Sequence, residues 1–135
     1  MFPKHPDGSR DLQTEWSHTQ TWQELEKVSK TGKTKAIGVS NYSVKNLEEL
    51  FSKATITPAV NQIENHPSLP QQEIYDLCKS KGIHITAYSP LGSTGSPLFT
   101  AAPIVEVAKK RDVPPASILL SYHGKTPLEH VTVPL

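Results

Sequence analysis

Residues 58–64 read PAVNQIE, and the face on which each of these side chains falls decides the fold. In an extended chain alternate residues point to opposite sides. The even positions here are Val60, Gln62 and Glu64, and the odd ones Ala59, Asn61 and Ile63. Two other short runs share the pattern. In TKAIGVS, residues 34–40, Ala36, Gly38 and Ser40 oppose Ile37 and Val39. In IHITAYS, residues 83–89, His84, Thr86 and Tyr88 oppose Ile83, Ile85 and Ala87. One face of each run is mostly oily and the other small or polar. The runs begin near Lys35, Pro58 and Ile83, about 24 residues apart, with an amphipathic stretch after each. That repeat is the length of a βα unit and predicts a parallel sheet. An open doubly wound sheet carries helices on both sides and needs apolar residues on both, whereas a (β/α) barrel has helices on one side and a lumen on the other. The expected fold is therefore α/β, a partial (β/α)8 TIM barrel of about three parallel strands with flanking helices. Working residues of such barrels sit at the C-terminal strand ends, which here carry Ser40 and Asn41, Gln62 and Glu64, and Tyr88 and Ser89.

The helical stretches follow from their apolar spacing. From Thr21, TWQELEKVSKTG places Trp22, Leu25, Val28 and Ser29 on one face, with Glu24 and Glu26 early, Lys27 and Lys30 late, and Gly32 as a stop. Ser43 is the expected N-cap of VKNLEELFSKA, whose Val44, Leu47, Leu50 and Phe51 share a face. LPQQEIYDLCKSKG, residues 69–82, is expected to bury Leu69, Ile74, Leu77 and Cys78 and to end at Gly82. After a Gly/Ser/Pro loop, LFTAAPIVEVAKKRD has Pro103 in its first true turn, and a last helix opens at Pro115. The expected organisation is an N-terminal loop over 1–20, the partial barrel over 21–123, and a divergent tail over 124–135.

Composition narrows the partners. With 135 residues the chain is the size of one domain, and its net charge of +1 comes from spread-out basic residues, so it carries no footprint for nucleic acid or anionic lipid. Lys79, Lys81, Lys109, Lys110 and Arg111 fall at helix C-termini and read as dipole-complementing charges. The six histidines have no metal-ligand spacing, and the single cysteine, Cys78, has no internal disulfide partner. No signal-like run opens the sequence and no stretch reaches the roughly 18 apolar residues of a membrane span, so the expectation is cytoplasmic.

IGVSNYS at 37–43, NQIENHP at 61–67 and ITAYSPLGS at 85–93, in that order and spacing, resemble the aldo-keto reductases, NAD(P)H-dependent oxidoreductases folded as (β/α)8 barrels. The resemblance runs from about Trp22 to His123. It implies that Ser40, Asn41 and Gln62 hydrogen-bond the nicotinamide carboxamide, that Tyr88 stacks on the nicotinamide ring, and that Ser89, Leu91 and Ser93 belong to a loop over the pyrophosphate, with Gly92 letting the backbone come close. The implied partners are a nicotinamide dinucleotide, NADP in particular, and a small carbonyl or alcohol substrate. Taken singly, each residue also has a local explanation: Ser-Asn after a strand satisfies a turn and a cap, and Tyr88 suits a rim. Gln62 is the harder one to explain locally, since a buried amide left unpaired costs about 1–3 kcal/mol. Joint occurrence in register is what favours the cofactor. His66 reads as structural, and Glu64 and Asn65 as rim residues without a role.

The resemblance also implies what to expect of activity. The family's proton-donating tyrosine and its lysine, aspartate and histidine partners belong to segments ahead of the SNY strand that this sequence does not contain, and His5 in PKHPDG is not at a strand end. No catalytic residue is therefore assigned. After ASILLSYH the sequence runs GKTPLEHVTVPL, where Lys125 and Thr126 echo the family's Lys-Ser without its strand, and the clamp for the 2′-phosphate is missing. The chain reads as a truncated, alternatively spliced or misdrawn gene product, with no useful turnover by itself. Three strands of eight leave open sheet edges, which invite self-association. The alternative is a non-catalytic half-barrel acting as a weak nucleotide-binding or protein-interaction module.

Overall fold

The computed structural model describes residues 3–12 and 15–124. Its centre is a parallel sheet of β1 (Val39–Ser40), β2 (Val60–Glu64) and β3 (His84–Tyr88), in that spatial order. The helices are α1 (His18–Ser29), α2 (Val44–Phe51), α3 (Gln72–Ser80), α4 (Ala102–Arg111) and α5 (Pro115–Ser121), with a 3₁₀ turn at Pro97–Thr100. This is the expected α/β arrangement, an open three-stranded portion of a barrel wall.

Strand β1 is shorter than the TKAIGVS run suggested. Its pairing nevertheless extends beyond its two residues: Ala59 N–H donates to Ile37 O and Asn41 N–H to Gln62 O, both at 2.9 Å. Gly38 makes this contact possible, because a Cβ there would stand 2.4 Å from Val60 Cγ1 and 2.8 Å from Val60 O. A side chain at 38 would push the two strands apart.

Parity separates the two faces as expected. Along β2, Asn61 and Ile63 are buried while Gln62 is exposed; along β3, Ile85 and Ala87 are more covered than His84, Thr86 and Tyr88. The odd face joins Trp22, Leu47, Leu50, Cys78 and Ile83 in the main core, with Leu25, Tyr42, Ile74 and Leu77 packed on it. Burial of this kind is the chief stabilising term, at about 25 cal/mol per Å² of apolar area. A second core, Leu98, Ile104, Ala108, Ile118 and Leu119, joins α4 and α5 to the 3₁₀ turn.

Three local expectations change. Helix α1 starts at His18, ahead of Thr21, because Ser17 and Gln20 form a capping box: Ser17 Oγ accepts from Gln20 N–H at 3.2 Å, and Gln20 Oε1 accepts from Ser17 N–H at 2.8 Å. Glu24 and Glu26 consequently lie beyond the first turn, and the buried stripe runs through Thr19, Trp22 and Glu26, leaving Val28 44% exposed. Leu69 is 39% exposed, since α3 begins only at Gln72 and Leu69 belongs to the preceding loop, where it bridges His66. The Ser43 cap is as expected, accepting from Asn46 N–H at 3.2 Å.

Glu26 braces the outer layer. Its carboxylate accepts from Trp22 Nε1 at 2.9 Å, Thr55 N–H at 2.7 Å, Thr55 Oγ1 at 2.9 Å and Ile56 N–H at 2.8 Å. Burial alone would raise its pKa, but the donors from Ile56, Thr55 and Trp22 outweigh burial and hold it below the ordinary glutamate value.

Candidate functional site

The exposed even face and the C-terminal strand tips carry the candidate site. Register aligns Ser40 with Gln62 and Gln62 with Thr86, forming a polar row across all three strands. One level nearer the tips, Glu64 aligns with Tyr88. Ser40, Gln62 and Tyr88 thus share one face, as the sequence reading required. Thr86 completes the row and was legible from its even number.

The turn after β1 is tightly held. Ser40 Oγ donates to Gln62 O at 2.9 Å, the same carbonyl that receives Asn41 N–H. Asn41 has φ +59°, in the left-handed region where asparagine is among the few side chains tolerated. Tyr42 then turns towards the helices, its hydroxyl donating to His18 O at 3.5 Å and its ring meeting His18 edge-on at 5.3 Å.

The buried amide of β2 is Asn61, on the odd face, and not Gln62. Gln62 is exposed, so it needs no buried partner. Asn61 is the fully buried amide, with Nδ2 donating to Tyr42 O at 3.0 Å and Oδ1 accepting from Tyr42 N–H at 3.4 Å. Beside it lies Cys78, 3.9 Å from Asn61 Nδ2. Burial pushes the Cys78 thiol pKa up, against the smaller opposite effect of Asn61, which suits a packing residue.

Beyond β3 the chain enters a glycine- and serine-rich loop. Ser89 and Ser93 both have positive φ, 48° and 66°, and Ser93 Oγ donates to Ser89 Oγ at 3.0 Å. Gly92 has φ +80°, and a Cβ there would lie 2.3 Å from Ser96 Oγ and 2.8 Å from Leu98 Cδ1. Its freedom is therefore already used by the second half of the loop. Leu91 packs against the α4–α5 core and is half-buried there. Tyr88 as a residue is 37% exposed at the strand tip, where a flat partner can reach it.

The neighbouring loop is stitched to itself. Asn65, expected on the rim, is buried and donates through Nδ2 to Pro70 O at 2.7 Å. Gln71 Nε2 donates to Glu64 O. His66 Nε2 is 3.4 Å from Glu64 Oε1, while its Nδ1 is buried without a protein partner among the described residues. Lys125 and Thr126 lie outside the described residues.

The donor set fits a nicotinamide group. Hydroxyl and amide side chains at Ser40, Asn41 and Gln62 are neutral and offer both donors and acceptors, the chemistry a neutral carboxamide requires. Tyr88 adds an aromatic surface.

Comparison with known proteins identifies the family. The aldo/keto reductase family model matches residues 2–135. This chain belongs to the aldo/keto reductase family. It is 60% identical over 136 residues to a D-galacturonate reductase of Hypocrea jecorina, covering 98% of this chain and 44% of that protein. It is 49% identical over 124 residues to a glycerol 2-dehydrogenase (NADP(+)) of Saccharomyces cerevisiae, covering 90% of this chain and 40% of that protein. Among solved structures, an aldose reductase from Giardia lamblia superposes with a TM-score of 0.82 at 34% identity, covering 92% of this chain and 41% of that one. An aldose reductase from Schistosoma japonicum gives 0.81 at 34% identity, covering 90% and 38%. The chain thus spans about two-fifths of the length of these aldo/keto reductases. No helix among the described residues is long and apolar enough to cross a membrane.

Proposed function

We propose that this chain supplies the nicotinamide-holding wall of a cytoplasmic NADP-dependent carbonyl reductase. The observation that carries the reading is the alignment of Ser40, Gln62 and Thr86 on the helix-free face, with Tyr88 at the tip beside them. Ser40 already donates its hydroxyl proton to Gln62 O, leaving lone pairs to accept from a carboxamide NH₂. Asn41 and Gln62 side chains supply the remaining contacts, and the Tyr88 ring covers one face of the nicotinamide. The cofactor, when bound, supplies the hydride; these residues orient it. Ser89, Ser93 and the Leu91 backbone provide hydroxyl and N–H groups suited to phosphate oxygens. The names of the relatives, a galacturonate reductase and a glycerol dehydrogenase, favour a small polyhydroxylated carbonyl or alcohol as substrate. In this reading none of the chain's own residues protonates the substrate carbonyl. A missing general acid alone lowers the rate by about 10²–10⁴-fold.

The test is a fluorescence titration of the chain with NADPH. Quenching that saturates, and that weakens about tenfold in Gln62→Ala, the effect of one lost specific hydrogen bond, supports the reading. Saturable quenching that ignores Gln62→Ala and Tyr88→Ala removes it. A second reading, a non-catalytic module that pairs with another polypeptide, is favoured by the outer edges of β1 and β3, which have no strand partner among the described residues. A defined oligomer that leaves NADPH fluorescence unchanged selects that alternative.

A further inference from the structure

We infer that Asn61 is the positioning residue of this site: its buried side-chain amide grips Tyr42 by both backbone groups and so sets the turn that presents Ser40 and Asn41 to the open face. The inference rests on the nicotinamide reading above for what the turn presents, but not for how the turn is held. Asn61 lies on the helix-facing side of β2, opposite Val39, with no exposed surface, so it cannot itself touch a ligand on the even face. Its chemistry is directed at one neighbour. The last backbone bond between β1 and β2 is Asn41 N–H to Gln62 O; the next residue, Tyr42, has its N–H and C=O met by Asn61 Oδ1 and Nδ2 at 3.4 and 3.0 Å.

A primary amide presents one acceptor and a donor at nearly the spacing of a peptide group. Asn61 therefore takes the place of the next ladder pair after the backbones diverge. The chain leaves the ladder through Asn41, whose φ of +59° is a left-handed turn that asparagine tolerates and that the contacts on either side hold in place. Those contacts come from two consecutive residues of β2. Gln62 O holds Ser40 Oγ and Asn41 N–H within the sheet, and Asn61 holds Tyr42 from the helix side. An apolar residue at 61 would suit the neighbouring Val39 and Cys78 but would take away the partner of both half-buried Tyr42 backbone groups.

The experiment uses this chain, isotope-labelled, with Asn61→Ala compared against Ile63→Ala, a cavity on the same buried face. In the unmutated chain a scalar coupling across the hydrogen bond from Asn61 Nδ2 to the Tyr42 carbonyl carbon is expected, which requires no variant to fold. In Asn61→Ala the Tyr42 amide is expected to exchange with solvent about tenfold faster relative to the β2–β3 amides, with NADPH affinity about tenfold weaker, the equivalent of one lost buried hydrogen bond. Ile63→Ala is expected to leave the relative protection of Tyr42 unchanged. Absence of the coupling, or loss of Tyr42 protection only in step with the whole sheet, overturns the inference. So does faster Tyr42 exchange with unchanged NADPH affinity. If the unmutated chain fails to bind NADPH, the nicotinamide reading falls, while coupling and exchange still decide whether Asn61 holds the turn.

Discussion

The two faces of β2 differ by one residue in sequence and by almost everything in environment. Asn61 and Ile63 are sealed beneath the helices; Gln62, between them, lies open. On the sealed face a polar group must be matched within the protein, as Asn61 is by Tyr42. On the open face a polar group is free to meet a ligand. An amide's position in the alternation, more than its type, therefore decides whether it builds the fold or serves a site.

Substitutions can break or sharpen this contrast. The largest effect is expected from Leu50→Ala or Ile63→Ala, which empty fully buried positions and should lower stability by about 2–5 kcal/mol in a denaturant titration. Next comes Gly38→Ala, whose Cβ would collide with Val60 and wedge β1 from β2; overpacking of this kind costs about 1–3 kcal/mol and should appear as lost amide protection at Asn41. Comparable in size, Glu26→Gln leaves donors from Thr55 and Ile56 poorly matched, at about 1–3 kcal/mol. Because the folded pKa of Glu26 is depressed, its contribution is complete above the unfolded glutamate value of about 4.3 and disappears as pH falls through the lower folded value. Acid titration of stability should therefore be shallower in Glu26→Gln than in the parent. The smallest stability effect belongs to Gln62→Ala, within about 0.5 kcal/mol because the side chain is exposed, although its effect on NADPH binding should be clear.

Much of this was legible in the residues. Period-two alternation in three short runs placed Ser40, Gln62, Thr86 and Tyr88 on one face, because one face of these strands must be covered. Helix limits were less legible. SHTQ at 17–20 carries the capping-box pattern, but no strong apolar residue accompanies its start, so apolar spacing alone opens the helix only at Thr21. Glu26 was misread for the same reason: from a start at Thr21 it belongs early in the helix, whereas its actual role depends on Thr55 and Ile56, nearly thirty residues later. Asn61 illustrates a different limit. Its odd number already placed it among the buried residues, yet the partner that makes this tolerable is the backbone of Tyr42, nineteen residues earlier, which no local pattern reveals.

The most direct test of the central claim is to map NADPH-induced chemical-shift changes on the labelled chain. Changes concentrated at Ser40, Asn41, Gln62, Thr86 and Tyr88, with Ile63 and Cys78 unmoved, are the predicted result. Changes confined to the outer surfaces of α1, α2 and α3 would contradict it.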